Sequence, residues 1–311
     1  MPISEKLVIN RIRRAARGGP SGRGIGDDCA VVPIPHGHEA LVTTDFSLEG
    51  VHFWRDRHPP DTVGHRCLAR GLSDIAAMGA IPHAAFLSLA LPADLPQHWI
   101  DRFIAGLLKL AARLSVGLAG GDTARSPGGV LADVVVLGSV PRGQAILRSG
   151  ARPGDAIYIT GTLGSAAAVL DRLRDGEKLR PRAHPKHFYP EPRLAVGQFL
   201  RERKLATAMI DISDGLSTDL GHICEESKVG AVVHAESLPA IKDRNGLILA
   251  LHGGDEYELL FTAPPNRHIP KQIAGVPIAR IGEITRGKGM KLSTSDGWKH
   301  VLQPGGWQHF A

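Results

Sequence analysis

Residues 209–220 read MIDISDGLSTDL: an apolar run carries the chain into Asp211, and Asp214 and Asp219 follow within a few residues. The run has strand character, Ser213-Asp214-Gly215 is turn-forming, and the apolar residues beyond it have helical spacing. No lysine or arginine lies in the stretch. Carboxylates at this spacing repel, so the cost must be offset by a helix dipole, by solvent or by a cation.

Working outward, the second half reads as alternating strand and helix. The strand DAIYIT (155–160) runs into the Gly-rich turn GTLGSAAAVL (161–170), which opens a helix; RLAVGQFLRER (193–203) is helical, and YELLFT (257–262) and PIARIGEI (277–284) are strands. The first half predicts helices over 3–16, 59–80 and 96–114, and strands over 29–34, 40–45, 84–91 and 130–140, with Pro59-Pro60 opening the second helix. A turn-rich stretch with Gly143, Gly150 and Pro153-Gly154 places a domain boundary near 145, giving domains 1–145 and 146–311. Residues 174–193, rich in Arg, Pro and His, read as an exposed connection.

The 311 residues suffice for two domains, and 43% hydrophobic with 22% charged residues is a globular composition. The net charge of +6 comes from scattered basic residues not interleaved with aromatics, which argues against nucleic acid and suits anionic substrates or metal-neutralised acids. Cys29, Cys67 and Cys224 are odd in number and far apart, so neither a disulfide framework nor a CxxC site is expected. No apolar run reaches about 18 residues, and the N-terminal helix lacks a signal-peptide core; a cytoplasmic protein without membrane contact is expected.

The acids recur at element ends. Of Asp27-Asp28, Asp45, Asp74, Asp122, Asp211 and Asp214, most stand beside Gly, Ser or Thr with apolar sequence behind them. Singly, Asp74 and Asp214 read as helix caps, Asp27 and Asp28 as turn residues and Asp45 as a strand end. Together, without basic partners, they form a set of hard oxygen donors suited to Mg²⁺ rather than zinc. Mg²⁺ usually bridges to phosphates, which implies a nucleotide. No GxxxxGK[ST] is present; GLAGGDT and TGTLGS instead offer backbone N–H groups to a phosphate. His36-Gly-His38 and HPKH (184–187) read as solvated surface, and no Ser/His/Asp triad is found.

GIGDDCAVV, TTDFSLEGVHF, LSDIAAMGA, GGDT, ILRSGARPGD, IDISDGL, GGDEYELLFT and GGWQHF follow one another in an order that resembles the thiamine-monophosphate kinases, of the aminoimidazole ribonucleotide synthetase and selenophosphate synthetase superfamily. The resemblance implies an α+β protein of two α/β domains, with an N-terminal mixed-sheet domain that dimerises into a barrel-like core and active sites in clefts between the halves. It implies ATP and thiamine monophosphate as substrates, a homodimer and several Mg²⁺ ions. By matching position, Asp28, Thr43, Thr44, Asp45, Asp74, Asp122, Asp211 and Asp214 would hold the metal, Gly121, Asp122, Arg148 and Ser213 the ATP, and His52, Asp255 and Trp307 the thiamine end. One departure stands out: the family usually reads Gly-Gly-Glu-Asp-Tyr-Glu, whereas Asp255 and Glu256 are exchanged here. The acceptor phosphate is already ionised at neutral pH, so no general base is expected.

Overall fold

A computed structural model describes residues 5–16 and 32–308. The chain divides into two compact units, one formed by residues 1–75, 81–143 and 176–190, the other by 76–80, 144–175 and 191–311.

The elements of the first half are α1 (Glu5–Ala15), β1 (His38–Leu48), α2 (Pro60–Ala77), β2 (Ile81–Leu91), α3 (Gln97–Arg113), β3 (Gly117–Arg125) and β4 (Leu131–Pro141). The four strands form one sheet in the order β1-β4-β2-β3, antiparallel except for the parallel β2–β3 pair. α3 buries Trp99, Ile100, Phe103, Ile104, Leu107 and Leu110, the three-four spacing of a core-facing stripe. α2 packs on the sheet: a Cβ at Gly71 would lie 2.8 Å from a Val136 methyl. Helix-side positions are closed, with Val134 and Val136 of β4 and Ala85 of β2 at 0% exposure. The opposite face is bare, leaving Val42 at 64% and Phe46 at 53%. Cys67 of α2 is wholly buried against Ser47 of β1; burial pushes its thiol up to about 12, against the downward pull of the Ser47 hydrogen bond.

Two first-half expectations need correcting. Residues 32–34 form no strand, so of the strands expected at 29–34 and 40–45 the described residues show only the second, within β1, which begins at His38; residues 29–31 lie outside the described residues. GLAGGDT is a strand, not a Gly-rich turn: it pairs in parallel with β2, and glycine is needed because a Cβ at Gly121 would stand 1.8 Å from the Leu87 carbonyl oxygen.

The second half contains β5 (Ala156–Thr160), α4 (Ser165–Arg174), α5 (Pro185–Phe188), α6 (Leu194–Glu202), β6 (Ala208–Asp211), α7 (Leu216–Ser227), β7 (Gly230–His234), α8 (Gly246–His252), β8 (Leu259–Ala263), β9 (Gln272–Ile273), β10 (Val276–Thr285), β11 (Gly289–Ser293) and β12 (Lys299–Leu302). Its mixed sheet runs β12-β11-β7-β10-β5-β8-β6, with β9 attached to β10. Ile157 and Ile159 of β5, Ile210 of β6, Leu216, Leu220 and Ile223 of α7 and Leu260 of β8 share one buried cluster. Because α7 buries its apolar face here, the turn between β6 and α7 is held at the sheet edge.

The stretch 174–193 is not simply an exposed connection. His187 and Phe188 are 1% and 0% exposed, and the His187 Nε2 lies 3.1 Å from Nε2 of His58. The reading of HPKH as solvated surface therefore fails for His187, whose partner stands 129 residues earlier. His36 is exposed as expected; His38 is half-buried against Ser139. Among the described residues no helix is long and apolar enough to cross a membrane.

Candidate active site

In the first unit the structure joins two motifs that lie apart in sequence. Alternation along β1 turns Thr43, Asp45 and Ser47 toward α2 and Val42, Thr44 and Phe46 toward the bare face. Thr43 Oγ1 donates to Asp74 Oδ2, so the first residue of Thr-Thr-Asp meets the Leu-Ser-Asp turn of α2. Asp74 lies in the C-terminal part of α2, which rules out the helix-cap reading. Asp45 does have a basic partner: Arg70, about one helical turn before Asp74, approaches its Oδ1 at 3.2 Å. The expectation that these acids lack basic partners is corrected at this position.

Asp122 stands elsewhere on the same sheet. The register aligns Asp45 with Val134, Leu87 and Gly121, three strand spacings or about 14 Å across. Asp122 is exposed, and its Oδ1 accepts the Thr123 amide at 2.8 Å. Beside it, a cavity of about 100 Å³ opens under α1, walled by Ile9, Ile12, Leu87 and Leu118 with Asp122 and Thr123 at its polar end. His52 Nδ1 accepts the Leu48 amide at 3.0 Å, which fixes that ring to the end of β1. Asp28 lies outside the described residues.

In the second unit, β6 ends on Asp211, which is 4% exposed, and α7 begins after Gly215. Asp219, in the first turn of α7 and 1% exposed, accepts the amides of Asp214 at 3.2 Å and Gly215 at 3.0 Å through Oδ2. Burial first, then the charges of Asp211 and Asp214, push its carboxyl up to about 8 against the pull of those two amides. The repulsion legible in the sequence is thus concentrated on Asp219. Ligand atoms of Asp214, Asp219 and His222 all lie within 4.8 Å of one another. Two carboxylates and an imidazole fit a divalent cation, and the carboxylate oxygens suit a hard one. Asp219 and His222 were not among the expected ligands. The helical spacing from Asp219 to His222 was the available signal, since it sets both on one face.

Ser213 and Asp214 are gripped by distant segments. The Ser213 carbonyl accepts the Asp255 amide at 2.7 Å, and the Asp214 carbonyl accepts the Trp307 amide at 3.0 Å. Asp255 takes a left-handed backbone at φ 62°, and its Oδ1 accepts the Tyr257 hydroxyl at 2.5 Å. Trp307 keeps 42% of its surface exposed. Arg148 is exposed and contributes its carbonyl to the Ser227 hydroxyl. The TGTLGS turn does not offer its amides freely: Glu256 Oε1 accepts those of Gly164 at 2.8 Å and Ala166 at 3.0 Å. The phosphate reading of that turn is therefore withdrawn.

Residues 26–140 match the family "AIR synthase related protein, N-terminal domain", and residues 152–295 match "AIR synthase related protein, C-terminal domain". The thiamine-monophosphate kinase of Salmonella typhimurium is 39% identical over 307 residues, 93% of this chain and 92% of its own. The crystal structure of the thiamine-monophosphate kinase from Stenotrophomonas maltophilia K279a matches with a TM-score of 0.80 at 36% identity, over 94% of this chain and 97% of its own. A structure solved as AaThiL complexed with AMPPCP and TMP matches with a TM-score of 0.80 at 31% identity, over 98% of this chain and 97% of its own.

Proposed function

The chain belongs to the AIR synthase-related proteins and, within them, to the thiamine-monophosphate kinases, ATP-dependent phosphotransferases; from that premise we propose direct in-line transfer of the ATP γ-phosphoryl group onto thiamine monophosphate, giving thiamine diphosphate and ADP. The acceptor is a phosphate oxygen with a second pKa near 6, so it needs no base to become a nucleophile. The obstacle is charge: at about 4 Å and an effective dielectric near 20, each pair of unit charges repels by roughly 4 kcal/mol. Bound Mg²⁺ would supply the positive charge that offsets this repulsion.

The side chains divide that work. In the first unit Thr43, Asp45 and Asp74 would hold metal; Asp28, Thr44 and Asp122 join them on the resemblance alone. In the second, Asp211 and Asp214 would do so, with Asp219 and His222 beside Asp214. Gly121, Asp122, Arg148 and Ser213 would contact ATP. His52, Asp255 and Trp307 would meet the thiamine end, where an aromatic face suits both the cationic thiazolium and the flat pyrimidine. The bare sheet face with Val42 and Phe46 would be covered by a second copy, giving a homodimer with a barrel-like core. Free, buried Cys67 and Cys224 suit a reducing cytoplasm.

The observation that carries this reading is the Thr43–Asp74 hydrogen bond, which turns two separate acidic motifs into one oxygen-rich site. Phosphorus NMR of the protein with ATP, MgCl₂ and thiamine monophosphate should show a diphosphate ester forming with stoichiometric ADP. Free phosphate as the sole product would instead indicate a hydrolase, and the proposal would fall. Asp45→Asn or Asp214→Asn should lower turnover about a hundredfold or more in folded protein.

A further inference from the structure

Asp214 is pinned by hydrogen bonds on both of its peptide planes. In the plane before it, the Ser213 carbonyl accepts the Asp255 amide at 2.7 Å and the Asp214 amide reaches Asp219 Oδ2 at 3.2 Å. In the plane after it, the Gly215 amide reaches the same Oδ2 at 3.0 Å and the Asp214 carbonyl accepts the Trp307 amide at 3.0 Å. With both planes fixed at both ends, φ and ψ of Asp214 are set, and so is the direction of its Cα–Cβ bond.

One of these anchors comes from the last stretch of the described chain. Gly305 and Gly306 donate their amides to Ser217 Oγ and Thr218 Oγ1, each at 3.1 Å, and Trp307 donates to the Asp214 carbonyl. Three successive amides thus dock on the first turn of α7 and the turn before it. The fit leaves no room for a side chain: a Cβ on Gly306 would stand 2.1 Å from the Asp214 carbonyl oxygen and 2.7 Å from Thr218 Oγ1.

We propose that residues 304–307 are a positioning strap for Asp214, so that the carboxylate offered to the metal and the ring offered to the thiamine substrate are set by one backbone contact. The proposal rests on the reading of Asp214 as a metal ligand. Binding at one end then depends on order at the other.

The test compares Gly306→Ala, Thr218→Val, Trp307→Ala and Asp214→Asn with wild type. It measures Mn²⁺ binding through the EPR signal of the free ion, the KM for thiamine monophosphate and the melting temperature. Gly306→Ala should weaken Mn²⁺ binding by about tenfold, as loss of a ligand-orienting contact does, and raise the KM as well. Thr218→Val, which removes only the Gly306 acceptor, should shift both in the same direction by less. Trp307→Ala keeps its amide, so it should raise the KM and leave Mn²⁺ binding unchanged. Wild-type Mn²⁺ binding in folded Gly306→Ala and Thr218→Val would overturn the strap, as would a Trp307→Ala defect equal to that of Gly306→Ala. If Gly306→Ala does not fold, Thr218→Val decides alone. If Asp214→Asn binds Mn²⁺ normally, the metal reading itself has failed; if it loses Mn²⁺ while the strap variants do not, only the strap has.

Discussion

Glu256 is 5% exposed and answers the amides of Gly164 and Ala166, so the positive end of α4 is met by a side chain about ninety residues away. This gives a physical account of the exchanged acid pair. The extra methylene of glutamate serves the position that reaches α4, while the shorter Asp255 stays with the Tyr257 hydroxyl two residues on. Any substrate contact by Asp255 must share that carboxylate with Tyr257. Glu256→Gln keeps an acceptor and should leave the urea midpoint nearly unchanged. Glu256→Ala leaves two amides unanswered and should cost about 1–3 kcal/mol in the same measurement. None of this was legible from residues 253–259, because the α4 amides that Glu256 serves lie so far away in the chain.

Elements were readable where their own residues dictate them. The apolar stripe of α3 and the strand pattern of β4 announce themselves within a dozen residues, and each lies within one residue of its expected bounds. β3 was hidden because Gly120-Gly121-Asp122 has no strand pattern; it is a strand only because β2 pairs with it. The cap reading of Asp74 failed for a different reason: the helix expected over 59–80 already placed Asp74 in its interior, and α2 does begin fourteen residues earlier, at Pro60. Of the candidate site, the acidic types and their motif order were legible; the Arg70 partner of Asp45 and the joining of His222 to Asp214 were not, being products of packing. A polar tie among three strands shows the same dependence. Ser139 of β4, wholly buried, lies 2.9 Å from His38 Nδ1 at the start of β1 and 2.7 Å from His83 Nε2 on β2. Burial, and then His38, hold His83 below its ordinary pKa of 6.5. The unfolded chain therefore binds the proton more readily, and this stability is present above pH 6.5 and lost as pH falls through the folded value. The urea midpoint should drop on acidification across this range, and His83→Gln, which retains a polar group near Nε2, should flatten the acid limb.

For the whole molecule, the asymmetry of the first sheet matters most. One face is closed by helices, while the other leaves Val42 and Phe46 more than half exposed. Phe46 pairs across the sheet with Asp133, whose carboxyl is raised by burial, so a carboxylate already stands beside Phe46, in a row that continues through Ser88 to Asp122. Phe46→Glu should put a second carboxylate beside the first and so abolish the proposed homodimer, giving monomer in sedimentation velocity; the same sedimentation coefficient as wild type would show that this face is not the contact. Burial, in a different unit for each, settles the fate of the two described cysteines. Cys67 and Cys224 have thiols pushed up to about 12 and about 11, chiefly by burial. At neutral pH they hold almost no thiolate, the form that alkylating agents and oxidants attack. Oxidative stress therefore finds these positions chemically silent until the fold opens, and any reagent they consume is a clock for that opening.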